Sequence, residues 1–75
     1  MLAGYLRANP ARNTAILRLP AGAKRRPLLL LDALGREVRR YPAPTGTEAT
    51  LDLRGLPAGV YVLRSGTGSQ RLAID

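Results

Sequence analysis

The chain contains no cysteine, histidine, tryptophan or phenylalanine, and these absences exclude several kinds of site. Without cysteine no disulfide can stabilise the fold, and without cysteine or histidine a zinc site of the usual type cannot form. The same absences remove a cysteine nucleophile and a histidine base. The sequence therefore does not predict an enzyme, a metal site or a cofactor site.

Only five carboxylates remain for acid–base chemistry, namely Asp32, Glu37, Glu48, Asp52 and Asp75. Asp52 lies between Leu51 and Leu53 in an alternating pattern, so we expect it to face solvent on a strand. Asp32 lies in a predicted turn. No two carboxylates have the arrangement of a catalytic dyad, and no catalytic residue is predicted.

Length and apolar content indicate one small folded domain over residues 1–75. The chain has 75 residues, and a domain of this size buries only about 60% of the surface that its unfolded chain exposes. An apolar fraction of 45% argues against disorder. The longest apolar run, at 28–31, follows basic residues as in a signal peptide but is too short for one, and for a membrane span.

The chain is strongly basic, with 11 arginines, one lysine and a formal net charge of +7. Such a charge raises nucleic acid and anionic lipid as partners. The arginines are spread along the whole chain, however, and adjacent cations occur only at 24–26 and 39–40. No aromatic residues alternate with them and no amphipathic helix is evident, so neither partner is predicted.

Dense glycine and proline residues divide the chain into strand-length segments. Eight glycines and six prolines leave segments of five to eight residues with no helical period. About seven short strands at this spacing predict an all-β fold, an immunoglobulin-like β-sandwich. The strand segments are an apolar stretch that stops at Asn9-Pro10, then 14–19, 27–31, 37–41, 49–53, 59–65 and 69–75.

Strand character differs between neighbouring segments. The run at 27–31 has no alternation, which predicts a central strand covered on both faces or a twisted, barrel-like edge. The polar segment at 37–41 fits an exposed edge protected by its charges. Between them, Asp32–Arg36 predicts a hairpin turn in which Asp32 accepts backbone N–H groups and Gly35 takes a positive φ.

Four motifs in order resemble the type A C-terminal sorting domain of the type IX secretion system, over about residues 5–75. The first is an Asn-Pro element, here without its usual preceding proline. The second is a strand ending in Asp-x-x-Gly-Arg, and the third is Leu-x-Leu followed by Leu-x-x-Gly-x-Tyr. The last is a basic residue before an apolar strand, with one cation where many members have two lysines. The residues that carry the resemblance are Asn9, Pro10, Asp32, Gly35, Arg36, Leu56, Gly59, Tyr61, Arg71, Leu72 and Ile74.

The resemblance implies a non-catalytic sorting signal appended to a large secreted protein of a Gram-negative bacterium. Its partners would be the outer-membrane translocon, a surface sortase and a covalently linked N-terminal cargo domain. The cargo would pass through the periplasm and be released or attached to anionic lipopolysaccharide at the cell surface. Residues 1–4 would then be linker or added residues, and the chain a fragment of a longer protein.

Other functions remain open from the residues themselves. A generic immunoglobulin-like or fibronectin-like adhesion module would share the strands, and a small basic nucleic-acid-binding protein would share the charge. Gly35 and Gly59 are expected to serve backbone geometry, and Tyr61 to be a core ring with a bonded hydroxyl. Arg36 and Arg71 fit either solvated charges or translocon contacts. An exposed last strand leaves both a monomer and an edge-paired dimer open.

Overall fold

The computed structural model describes residues 5–7, 12–22, 25–66 and 68–75. Seven strands and no helix occur in this part of the chain, so none of it forms a helix able to cross a membrane. The predicted Asn9-Pro10 element, Lys24 and Thr67 lie outside the described residues. The strands are β1 (Tyr5–Arg7), β2 (Thr14–Arg18), β3 (Leu28–Leu31), β4 (Glu37–Tyr41), β5 (Glu48–Asp52), β6 (Gly59–Ser65) and β7 (Gly68–Ile74).

The strands form two antiparallel sheets. One has three strands in the order β1-β2-β5, and the other has four in the order β4-β3-β6-β7. The chain therefore crosses between the sheets after β2, after β4 and after β5. The predicted all-β sandwich is confirmed, whereas the finer immunoglobulin-like assignment stays a prediction.

Alternating side chains from both sheets form one apolar core. Leu17 and Leu51 point inward from the three-stranded sheet, and Leu30, Leu63 and Leu72 point inward from the four-stranded sheet; all five are fully buried. Burial recurs at every second residue because successive side chains of a strand point to opposite faces. Among the described residues no polar or charged residue is buried, so the apolar pattern alone defines the inner faces.

Strand β3 lies between two other strands of its sheet, as predicted, but the other sheet covers only one of its two faces. Leu28 and Leu30 are buried in the core, whereas Leu29 and Leu31 face outward and stay partly exposed. The continuous leucine run therefore places apolar side chains on both faces of this strand. That outer face is shielded only by neighbouring side chains, since the described residues place no second layer over it.

Candidate recognition surface

The sheet register brings three of the motif segments to one end of the four-stranded sheet. Leu31 pairs with Val62, so the turn that follows β3 lies beside the start of β6. Gly59 at that start pairs with Ile74 near the end of β7. The Asp32–Arg36 turn, the Leu56–Gly59 corner and the end of β7 therefore lie together, and we call this region the motif end.

The Asp32 carboxylate organises the β3–β4 turn. Its Oδ1 accepts the backbone N–H groups of Leu34 and Arg36, each at 2.9 Å, and its Oδ2 accepts Arg36 Nε at 2.9 Å. Gly35 has a φ of 84°, a conformation that glycine adopts without strain. The predicted roles of Asp32 and Gly35 are confirmed, and Arg36 is ion-paired at an exposed position.

Hydrogen bonds hold the pKa of Asp32 below its ordinary value. The backbone N–H of Arg36 contributes most, partial burial opposes it, and the Arg36 side chain and the N–H of Leu34 add to the lowering. A depressed carboxylate pKa stabilises the fold at pH values above the unfolded-state pKa. The stabilisation is then lost as the pH falls through the lower, folded-state pKa.

We expect the Asp32 turn to give the domain an acid-sensitive component of stability. The melting temperature of the full chain should fall as the pH drops below about 4, where unfolded aspartate titrates. In Asp32→Asn this fall should be shallower, since the residual slope then comes from Glu37 and Asp52, whose pKa values their arginine partners also lower. Thermal melts of both proteins between neutral and acid pH measure this, and parallel curves would contradict it.

Tyr61 closes the corner between the two sheets. Its ring is buried in the core and its hydroxyl donates to the carbonyl oxygen of Pro57 at 2.6 Å, four residues upstream. A tyrosine near the start of a strand whose hydroxyl bonds back to the backbone a few residues upstream has the geometry of a tyrosine corner. The Leu-x-x-Gly-x-Tyr motif thus encodes a corner, and the prediction of a core ring with a bonded hydroxyl is confirmed.

Hydrogen bonds from Arg39 and Tyr41 connect the two sheets, and the sequence did not predict them. Arg39 Nη1 donates to the carbonyl oxygens of Asp52 and Arg54, each at 3.0 Å, and the Tyr41 hydroxyl donates to the same Asp52 oxygen at 2.7 Å. The register shifts so that Leu30 pairs with Arg39 and Leu31 with Glu37, which makes a bulge around Val38. Arg39 shares the inward face of β4 with Tyr41, two residues further on, so Arg39 is more than a protective edge charge.

The hydroxyls of the two core tyrosines, both part-buried, should differ in their contribution to stability. In Tyr61→Phe the Pro57 carbonyl loses its tyrosine partner, and we expect a loss of about 1 kcal/mol in the free energy of unfolding. Tyr41→Phe is the matched control, because Arg39 still donates to the Asp52 oxygen. Urea unfolding of both variants measures the difference, and an equal or larger loss for Tyr41→Phe would contradict this interpretation.

The predicted sorting residues fall into buried and exposed groups. Leu72 and Ile74 are buried on β7 and Leu56 packs against the core, so these three hold the fold together with Tyr61. Gly35, Arg36, Gly59 and Arg71 are exposed. Among the described residues no cluster of three or more potential metal ligands occurs. The exposed part of the motifs therefore consists of turn backbone and arginine side chains.

Comparison with protein families gives a match over most of the chain. The family model described as the secretion system C-terminal sorting domain matches residues 8–74. The chain belongs to this family. No curated protein and no solved structure matches the chain in the corresponding comparisons.

Membership of this family indicates the general function of the chain. It is a C-terminal sorting signal for type IX secretion, a role that is in general non-catalytic. Such a signal implies an N-terminal cargo, an interaction with the type IX machinery, and a secreted or cell-surface protein of Bacteroidetes-type bacteria.

Proposed function

We propose that residues 1–75 form a single domain that directs an N-terminal cargo from the periplasm through the outer-membrane translocon of the type IX system. The observation that carries the proposal is the gathering of separate family motifs at one end of the four-stranded sheet. A receptor can read such a surface through exposed turns and strands without any catalytic group. The domain itself needs neither a cofactor nor nucleic acid for this role.

We propose that recognition lies on the β6–β7 hairpin and on the turns at the motif end. Arg36, Gly35, Gly59 and Arg71 are the contact candidates, because they are the exposed members of the motifs. Leu56, Tyr61, Leu72 and Ile74 then act by holding these groups in place. Asn9 and Pro10 belong to the proposed signal as sequence elements.

Removal of the domain after export is a second part of the proposal. A surface sortase would cleave N-terminal to the domain, and the cargo would be released or attached to anionic lipopolysaccharide. Cleavage separates a signal from its cargo once the signal has been read, and it requires no chemistry from the domain. In solution the isolated domain would be a monomer or a dimer paired edge to edge.

Export of a fused reporter tests whether the domain is sufficient as a signal. A fluorescent protein with a periplasmic leader would be expressed in a type IX-competent bacterium, with or without residues 1–75 at its C-terminus. We expect fluorescence at the surface or in the medium only with the domain. A folded fusion that stays in the periplasm would contradict the proposal and favour an adhesion or binding module.

The mass of the exported reporter tests the sortase step separately. Cleavage predicts a reporter that lacks residues 1–75, and lipopolysaccharide attachment predicts an additional heterogeneous mass on its new C-terminus. An exported reporter that keeps the whole domain would contradict cleavage while leaving export itself intact.

A further inference from the structure

The outer face of the four-stranded sheet carries an apolar groove beside the motif end. The groove has a volume of about 550 Å³ and runs from the Asp32–Gly35 turn along β6 to Ser69. Leu31, Val60 and Val62 line it, and Val60 is 41% exposed. Val60 is one of the two large apolar side chains that are exposed among the described residues, and it lies in a concavity with the partly buried Leu31 and Val62, an arrangement typical of binding sites.

One end of the groove is positively charged and has no compensating carboxylate. Arg64 lines that end, and among the described residues no aspartate or glutamate lies within ion-pair distance of it. The register places Leu29 between Arg64 and Arg40 on the same outer face. Arg26 lies nearby over the β6–β7 turn, since a Cβ on Gly66 would be 3.1 Å from its Cδ.

Four of the five carboxylate side chains are ion-paired with arginines other than Arg64. Asp32, at the opposite end of the groove, is neutralised by Arg36, and Glu37 is paired with Arg40. Glu48 and Asp52 pair with arginines outside the groove. The groove therefore combines an apolar floor with an uncompensated cation at one end. A ligand that fits it would carry an apolar group next to an anion.

The spacing of the groove residues favours an extended peptide over other anions. Val60, Val62 and Arg64 follow at every second position of β6, which is the spacing of same-side side chains in an extended segment. A single-stranded nucleic acid would need aromatic stacking platforms, and the groove has no aromatic lining. A lipid surface favours protruding apolar groups, whereas these residues line a concavity.

We propose that this groove is a docking site for an extended, acidic segment of a partner protein, whose apolar side chains enter beside Val60 and Val62 and whose carboxylate binds Arg64. The inference rests on the proposed function, because it names the chemistry of a partner met during export. It extends the recognition surface from the turns of the motif end to the outer face of the sheet.

Titration of the isotope-labelled full chain with a defined peptide, followed by NMR, tests this inference. The probe is a capped octapeptide of alternating leucine and glutamate, and the control peptide has lysine in place of glutamate. We expect saturable shift changes centred on Leu31, Val60, Val62 and Arg64 with the acidic peptide only. Arg64→Glu should weaken binding about tenfold, as expected for loss of the charge pair at that end of the groove.

Arg12→Glu is the matched control, since it makes the same change in net charge at an exposed position outside the groove. It should bind the acidic peptide nearly as the unchanged chain does. Equal weakening by both variants, shifts elsewhere, or no saturable binding would overturn the inference. Groove shifts with phosphatidylglycerol vesicles or oligothymidine in place of the peptide would overturn it in favour of lipid or nucleic acid. Because no secretion machinery is present, a negative result here is distinct from a failure of reporter export.

Discussion

Deletion of residues 71–75 is expected to abolish export of a fused cargo. The deletion removes Leu72 and Ile74, both buried, from positions opposite Tyr61 and Gly59 on β6. Loss of a large buried aliphatic side chain costs about 2–5 kcal/mol, and two such losses rival the whole stability of a domain this small. The deletion also removes the exposed Arg71, so it takes away both the core packing of β7 and one candidate contact residue.

Two milder variants separate these effects in the same export assay. Removal of Asp75 alone leaves every buried residue in place, and export should continue. Arg71→Ala keeps Leu72 and Ile74, so a reduced export at an unchanged melting temperature would identify a contact made by this cation. Continued export of the fusion that lacks residues 71–75 would contradict the role given to β7.

Leu30→Ala is expected to destabilise the isolated domain by about 2–5 kcal/mol, one of the largest effects of any single substitution in this chain. Leu30 is fully buried on the central strand of the four-stranded sheet and pairs there with Leu63 on β6. Truncation leaves a cavity between the sheets that the surrounding strands cannot fill without breaking their register. For a domain of this length each kcal/mol corresponds to a fall of about 4–8 °C in melting temperature.

Leu34→Ala provides the matched control for that substitution. The same atoms are removed from a side chain that is 79% exposed in the β3–β4 turn, so the change should lie within about 0.5 kcal/mol. Urea unfolding of both variants measures the difference. Similar losses for the two leucines would contradict the inward orientation of Leu30 and with it the register of β3.

Local patterns predicted most of the fold because each acts within a few residues. The segment 37–41 coincides with β4, and 59–65 coincides with β6, since each is bounded by turn residues. Asp32 and Gly35 have short-range roles that their residue types dictate, and the structure confirms both. The prediction for Tyr61 came from the general tendency of tyrosine to bury its ring and bond its hydroxyl, and the structure confirms it.

Features that depend on pairing between distant strands could not be predicted in this way. The contacts of Arg39 with Asp52 and Arg54 depend on how the two sheets are brought together, which the segment Glu37–Tyr41 alone does not specify. The run of four leucines left open whether both faces of β3 are covered, and the structure shows Leu29 and Leu31 only partly buried on the outer face. The gathering of motifs at one end also required the observed strand order.

The central claim is that the domain is read by the type IX translocon, and translocon-dependent export of a reporter measures this most directly. The fluorescent protein fused to residues 1–75 would be expressed in two isogenic strains that differ only in the translocon. We predict fluorescence at the surface or in the medium of the competent strain, and folded fusion confined to the periplasm of the other. Equal distribution of the folded fusion in the two strains would contradict the claim.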